Sequence, residues 1–136
     1  MRKLLLLLLV TSTSISATPR FVAYDIYLDA PLPLAAWQFE LSGGGMQVVG
    51  IENGAIDVFG EAPYYDRAAV EAGTVDRLIV ADFSTATAAR LPQGKTRIAT
   101  VHLMLSDDTQ APHVELTTAV TPNGETMNAR LSIEAR

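Results

Sequence analysis

Apolar side chains occupy every second position in several short runs of this sequence. Trp37, Phe39 and Leu41 alternate with polar neighbours, and the same pattern recurs in residues 22–28 and 114–120. A period of two sends successive side chains to opposite faces of an extended backbone, so each run predicts a β-strand with one buried face and one solvent face. Such strands are stable only when their apolar faces are buried against other elements, which restricts the chain to sheet-based folds.

Residues that favour turns separate these runs. Pro31 and Pro33 lack an amide donor, and a run of three glycines occupies residues 43–45. The pair Asn123-Gly124 predicts a type I′ hairpin turn, because both of its residues tolerate positive φ. The eight predicted strands are residues 21–29, 37–41, 46–51, 55–59, 77–84, 95–105, 114–120 and 127–133.

Little of the chain has a helical pattern. Residues 66–72 predict two helical turns, which Gly73 ends. Residues 77–84 have apolar side chains in both phases, so this strand is expected to be covered on both faces or to lie centrally. A hydrophobic content of 49% with 18% charged residues provides enough apolar material for a core. The pattern predicts an all-β fold, an antiparallel β-sandwich of the jelly-roll type with about eight strands and at most one short helix.

The N-terminus has the three regions of a secretory signal peptide. Arg2 and Lys3 supply positive charge, residues 4–10 are an unbroken apolar run, and residues 11–17 are mostly small and polar. The apolar run makes about 10 Å of helix, far short of the ~30 Å hydrocarbon core of a membrane. The sequence therefore predicts a cleaved signal peptide at residues 1–17 and an exported domain at 18–136, located outside the cell or in the periplasm.

Charge and cysteine content narrow the choice of partners. Loss of Arg2 and Lys3 with the signal peptide leaves eight basic residues against 15 acidic ones, a net charge of −7. Such a domain has no general basic field, so we expect it to bind neither nucleic acid nor anionic lipid. No second apolar segment has spanning length, so stable membrane insertion is not expected. The chain has no cysteine, and its core must therefore be stable without disulfides.

Five segments, in this order, resemble the cohesin family. They are residues 21–29, residues 34–41 (LAAWQFEL), residues 46–54 (MQVVGIENG), residues 78–84 (LIVADFS) and residues 94–103 (GKTRIATVHL). The second segment is similar to the family's alternating Gln-Phe-Asp-Leu-like strand, and the last is similar to its glycine followed by a Leu-Ala-Thr-Ile-like strand. The resemblance extends from residue 21 to the C-terminal strand and covers almost all of the predicted domain.

Cohesins are jelly-roll modules related to carbohydrate-binding domains and are receptors for dockerin modules. The resemblance implies a secreted, non-catalytic binding module that recognises a dockerin-type protein or a polysaccharide at the cell exterior. The alternative is a structural subunit of an extracellular or surface assembly, whose copies would join through a free edge strand. A small hydrolase is a third hypothesis, and it would need converging carboxylates or a serine beside a histidine.

No group of residues in the sequence predicts a catalytic or metal site. His102 and His113 are the only histidines and lack zinc-binding spacing, and the chain has neither a nucleophile-elbow motif nor a cysteine nucleophile. Asp107 and Asp108 form the best oxygen-rich turn for calcium, but the turn lacks the EF-hand pattern, so a solvated turn is favoured. We therefore expect no metal, no cofactor and no reaction.

Tyr64, Tyr65 and Asp66 are the candidate binding residues. They lie in the least regular portion of the chain, residues 60–76. Paired tyrosines can form a platform for a sugar or a protein, because a tyrosine has an apolar face and a polar tip. The alternative, which the sequence favours, is that these rings cover one end of the core. Trp37 is in phase with its apolar strand neighbours, so it is expected in the core and not in a ligand contact.

Overall fold

In the computed structural model, which describes residues 19–106 and 110–136, all paired strands are antiparallel. The predicted signal peptide and the predicted turn at Asp107 and Asp108 lie outside the described residues. The predicted all-β class with a single short α-helix is confirmed over the described residues. In chain order the elements are β1 (Arg20–Ala30), β2 (Ala36–Asn53), a 3-10 turn (Asp57–Phe59), α1 (Arg67–Ala72), β3 (Val75–Phe83), a second 3-10 turn (Ala88–Arg90), β4 (Gly94–Leu105), β5 (His113–Val120) and β6 (Arg130–Ala135).

The longest strand, β2, changes partners part-way along. Its residues 36–42 pair with β3 on one side and β5 on the other, whereas its residues 47–53 pair with β4. The register to β3 shifts between Ser42 and Met46, where three glycines let the backbone bend. Beyond β4 come β1 and then β6, so the strand order is β3-β2-β4-β1-β6 with β5 attached to β2.

The described residues form six strands where eight were predicted. Predicted strands 37–41 and 46–51 are one strand, because the glycines between them remain within β2 and do not form a hairpin connection. Residues 55–59 do not form a strand. After β2 ends at Asn53, the Ala55 amide donates a hydrogen bond of 2.9 Å to the Arg97 carbonyl, and the chain then turns through Asp57–Phe59.

The chain turns back at Asn123-Gly124 as predicted, with Val120 and Thr126 in an antiparallel bridge, but the predicted type I′ turn is wrong. Among the described residues only glycines have positive φ, so Asn123 does not occupy a central position of a type I′ turn. The Gly124 amide donates to the Thr121 carbonyl at 2.9 Å, which makes Pro122 and Asn123 the central residues of the turn. Proline at the first central position favours a type I turn, because its ring holds φ near −65°. The strand that follows, β6, pairs with β1 and not with β5.

Side chains from both halves of β2 join those of the other strands in one core. Trp37 is buried, as predicted, and stacks on Phe39 with ring centroids 5.6 Å apart. Phe59, from the first 3-10 turn, meets the edge of the Trp37 ring system at 6.3 Å. Burial of these large rings is the main source of stability for a sheet of this kind. Other fully buried core residues are Ile26, Leu28, Leu34, Leu41, Val80, Val101 and Leu103.

The helix α1 forms where the sequence predicts it. The Asp66 carboxylate accepts the Ala69 amide at 3.0 Å and caps the first turn, and Gly73, with a φ of 146°, ends the helix. Nowhere in residues 19–106 and 110–136 is there a helix with the length and apolar character needed to cross a membrane.

Gly54 is predicted to be a position where no side chain is tolerated. A Cβ on residue 54 would clash with the Arg97 carbonyl oxygen, which is backbone and cannot move without breaking the bond to Ala55. We expect Gly54→Ala to lower the free energy of unfolding by about 1–3 kcal/mol, measured by urea denaturation followed through the fluorescence of the single tryptophan, Trp37.

Gly50→Ala is the matched control. Gly50 lies in β2, four residues before Gly54, has no positive φ, and a Cβ there has no neighbour within 4 Å. Its unfolding free energy should stay within about 0.5 kcal/mol of that of the wild type. Equal stability of the two variants would contradict the close approach at Gly54.

Candidate functional site

The outward face of β3 carries large apolar side chains. Ile79 is 43% exposed and Phe83 is 55% exposed on this face. The residues at the alternate positions, Leu78, Val80 and Asp82, point to the other face and are buried. The expectation that this strand is central or covered on both faces is therefore wrong. β3 ends the strand order, and at its outer edge the described residues supply only one isolated bridge, to Tyr64.

Tyr64 is placed beside Phe83 by this bridge. The Tyr64 amide donates to the Ala81 carbonyl at 2.8 Å, and the Ala81 amide donates to the Tyr64 carbonyl at 3.0 Å. Residues directly opposite each other in an antiparallel bridge send their side chains to the same face. The Tyr64 and Phe83 rings have centroids 6.1 Å apart and planes within 10° of parallel. Tyr64 is 63% exposed, and we call these two residues the aromatic pair.

Polar side chains lie next to the aromatic pair on the same face. Gln38 is directly opposite Ala81, and Glu40 is directly opposite Ile79. Further along, Arg77 forms an ion pair with Glu40 at 2.7 Å. We call the outward face of residues 77–83 and 36–42, together with Tyr64, the β2–β3 strip. It is aromatic at one end, carries an uncharged amide next, and has a neutralised ion pair at the other end.

The other two candidate residues from the sequence have different surroundings. Tyr65 is half-buried and packs against the core, with the Arg67 guanidinium 5.3 Å from its ring centroid. Asp66 caps α1. Of the three predicted residues, Tyr64 alone belongs to the strip. Phe83 and Ile79 were missed, because apolar residues in both phases of β3 predicted that both of its faces would be covered.

A buried carboxyl group lies directly behind the strip. Asp82 is 5% exposed, and its Oδ1 accepts the Phe83 amide at 2.8 Å. Its Oδ2 has no hydrogen-bond partner among the described residues, and neither has Nε1 of Trp37, the residue opposite Asp82 on β2. Burial raises the pKa of Asp82, and the hydrogen bond from the Phe83 amide offsets only part of that rise.

A second acidic group, the Asp25 carboxylate on β1, has hydrogen-bond partners for both of its oxygens. The Thr100 hydroxyl donates to Asp25 at 2.7 Å, Arg136 donates to both carboxylate oxygens, and Arg97 donates to the Thr100 oxygen at 2.7 Å. Burial acts to raise the pKa of Asp25, but the hydrogen bonds from Thr100 and Arg136 and the charges of Arg136 and Arg97 outweigh it and lower that pKa. This network connects β1, β4 and the residue after β6, so its role is structural.

The two histidines lie on different elements. His102 is on β4, where its Nε2 lies 3.1 Å from the Glu52 carboxylate, and His113 begins β5. Within residues 19–106 and 110–136, no three histidine or acidic side chains converge closely enough to hold a metal ion. The calcium turn considered at Asp107 and Asp108 lies outside this range.

Stability should depend on pH through Asp82. Because burial raises its pKa in the folded state, its contribution to stability is complete below the ordinary aspartate pKa of about 3.9 and is lost as pH rises through the raised value. We expect Asp82→Asn to remove this loss and to be more stable than the wild type at pH 7. Urea denaturation between pH 4 and pH 8, followed through Trp37 emission, measures the effect.

Asp25→Asn is the control, because we expect it to change the stability at pH 7 in the opposite direction. The pKa of Asp25 is lowered in the folded state, so its contribution is present at neutral pH and lost as pH falls through the native value. This variant should be less stable than the wild type at pH 7. If Asp82→Asn were also destabilised at pH 7, the charge on buried Asp82 would not be unfavourable and the interpretation would be wrong.

Comparison of the chain with family models, with curated proteins and with solved structures finds no match.

Proposed function

We propose that this chain is an exported, non-catalytic binding module with a cohesin-like β-sandwich fold, recognising a dockerin-type protein or a polysaccharide outside the cytoplasm. The observation that carries the proposal is the aromatic pair, two large rings that are more than half exposed on a paired strand face. The N-terminal charge and apolar pattern supports export, and the order of strand segments supports the cohesin-like fold.

The strand pairing supports the sandwich. In this proposal β3, residues 36–42 of β2 and β5 form one sheet, and residues 47–53 of β2, β4, β1 and β6 form the other. Phe39 and Leu41, from the first half of β2, belong to the same buried cluster as Val48 and Ile51 from the second. Two packed sheets sharing one core would produce such a cluster.

Rigidity supports a binding role for the strip. Seven consecutive residues of β2 pair with β3, and Tyr64 is held by two backbone hydrogen bonds. Side chains on a paired strand lose less conformational freedom on binding than side chains on a loose loop, so more of the contact energy becomes affinity. Aromatic residues fixed in this way are typical of the residues that dominate binding energy.

Three acidic groups near the strip support a module without a reaction. Glu40 is neutralised by Arg77, and the Asp66 carboxylate caps α1. Asp82 lies behind the strip and is buried. A general acid or base must be within reach of its substrate, and each of these three groups has another contact or is shielded from solvent.

The structural-subunit alternative is favoured by one observation. Among the described residues, β6 pairs with β1 on one side only. An unpaired strand edge can accept a strand from another chain. In that case the protein would form large assemblies, and the aromatic pair would not control them.

Binding should depend on the aromatic pair. We expect the exported protein to be retained by a polysaccharide or by one protein of a secreted extract, and Tyr64→Ser with Phe83→Ser to weaken retention at least about tenfold. Phe21→Ser is the matched control, because Phe21 is 70% exposed but lies on β1. Retention of the double variant at the wild-type level would contradict the proposal. Elution of the wild type as a large self-assembly, with no bound partner, would favour the structural subunit.

A further inference from the structure

We propose that the ligand of the β2–β3 strip is a neutral polysaccharide, with one sugar ring stacked on the aromatic pair and the following rings lying along the strip. This inference rests on the proposed function, because it names the ligand class of the same surface. It is carried by the near-parallel rings of Tyr64 and Phe83 and by the position of Gln38 next to them.

The ring geometry fits a sugar. The two ring planes lie within 10° of each other, with centroids 6.1 Å apart. Rings stacked with such an offset cover part of each other, but Tyr64 remains 63% exposed and Phe83 remains 55% exposed, so aromatic surface stays open to a ligand. A pyranose ring has a flat face of C–H groups, which contacts the electron-rich face of an aromatic ring favourably. Its hydroxyl groups point outward from the ring edge and remain available for hydrogen bonds.

The polar groups next to the rings fit those hydroxyls. The Gln38 amide can donate and accept, as can the Tyr64 hydroxyl, and a sugar hydroxyl needs both kinds of partner. Gln38 is opposite Ala81, the residue that bridges to Tyr64, so the amide and the aromatic pair flank the same point of β3. Neither group carries a charge, which matches a neutral ligand better than an anionic one.

The shape of the strip fits a chain of sugars. From Phe83 to Arg77 the strand advances six residues, or about 20 Å at 3.4 Å per residue. Ile79 and the ion pair between Glu40 and Arg77 lie along this path. An extended polysaccharide can contact the whole path, with hydroxyls near the ion pair and C–H faces on the apolar side chains.

A protein ligand fits this surface less well. A protein interface of standard size covers about 800 Å² on each partner and has an apolar centre surrounded by a polar rim. Here the exposed large apolar residues are Tyr64, Phe83 and Ile79, arranged along a single strand edge. Glu40 and Arg77 neutralise each other on the strip, although Glu115 lies directly opposite Glu40 on the neighbouring β5, so a strongly charged partner protein would gain little from the strip itself.

Affinity electrophoresis of the exported protein through soluble xylan, mixed-linkage β-glucan, galactomannan and amylose, with depletion onto cellulose and chitin, tests the inference. We expect at least one polysaccharide to retain the protein. Tyr64→Ala and Phe83→Ala should each weaken retention by about tenfold or more, since each removes one of the two rings on which the sugar stacks. Tyr64→Phe, which keeps the ring, should stay within about threefold of the wild type.

Gln38→Ala should weaken retention by about threefold to tenfold, because it removes a hydrogen-bonding partner but no ring. Phe21→Ala should leave retention unchanged, since it removes an even more exposed ring from another strand. The urea midpoint and Trp37 emission of every variant should match those of the wild type, which separates loss of binding from loss of fold.

Two results would overturn the polysaccharide inference. One is the absence of retention on all six polysaccharides, and the other is retention that Tyr64→Ala and Phe83→Ala leave unchanged. If a secreted protein were bound instead, and lost with Tyr64→Ala, the binding-module proposal would stand and only the ligand class would be wrong. If neither polysaccharide nor protein bound, both proposals would fail.

Discussion

The pairing of β2 with three other strands is the constraint on which the rest of the structure depends. Its first half is hydrogen-bonded between β3 and β5, and its second half leads through β4 to β1 and β6. Both halves send buried side chains to one core, including Trp37 and Ile51. Every other strand pairs with β2 directly or, as β1 and β6 do, through β4. The glycines at residues 43–45 lie between the two halves of β2 and are therefore important for the whole sheet. They let one continuous strand serve two sets of partners.

The interior and the candidate binding surface meet on β3. A strand alternates its side chains between two faces, so Asp82 is buried while its neighbour Phe83 is exposed. The Phe83 amide donates to the Asp82 carboxylate, which connects the two environments through one hydrogen bond. Trp37 lies directly opposite Asp82 on β2, and its indole nitrogen has no partner among the described residues. The same strand therefore carries a buried carboxylate oxygen without a partner among the described residues and an exposed ring of the strip.

Several charged groups on this protein form ion pairs with each other. Asp25 is engaged by Thr100 and Arg136, and Lys95 pairs with Glu134 at 3.0 Å. Glu40 and Arg77 form an ion pair on the strip. The exposed pairs add little stability, but the pair on the β2–β3 strip leaves the aromatic rings as the distinctive feature of that strip. A neutral ligand with both apolar faces and hydroxyl groups suits that surface.

Local patterns in the sequence determined the all-β class, the burial of Trp37 and the helix between Asp66 and Gly73, because alternation, phase and capping act over a few residues. Tyr64 was also recognised from its local context as a candidate. Only the tertiary structure decided which strands pair, that two predicted strands are one, and that β6 lies beside β1. It also decided that Phe83 joins Tyr64 on an open face. Alternation shows that a strand has two faces, but which face stays uncovered depends on contacts between segments far apart in the chain.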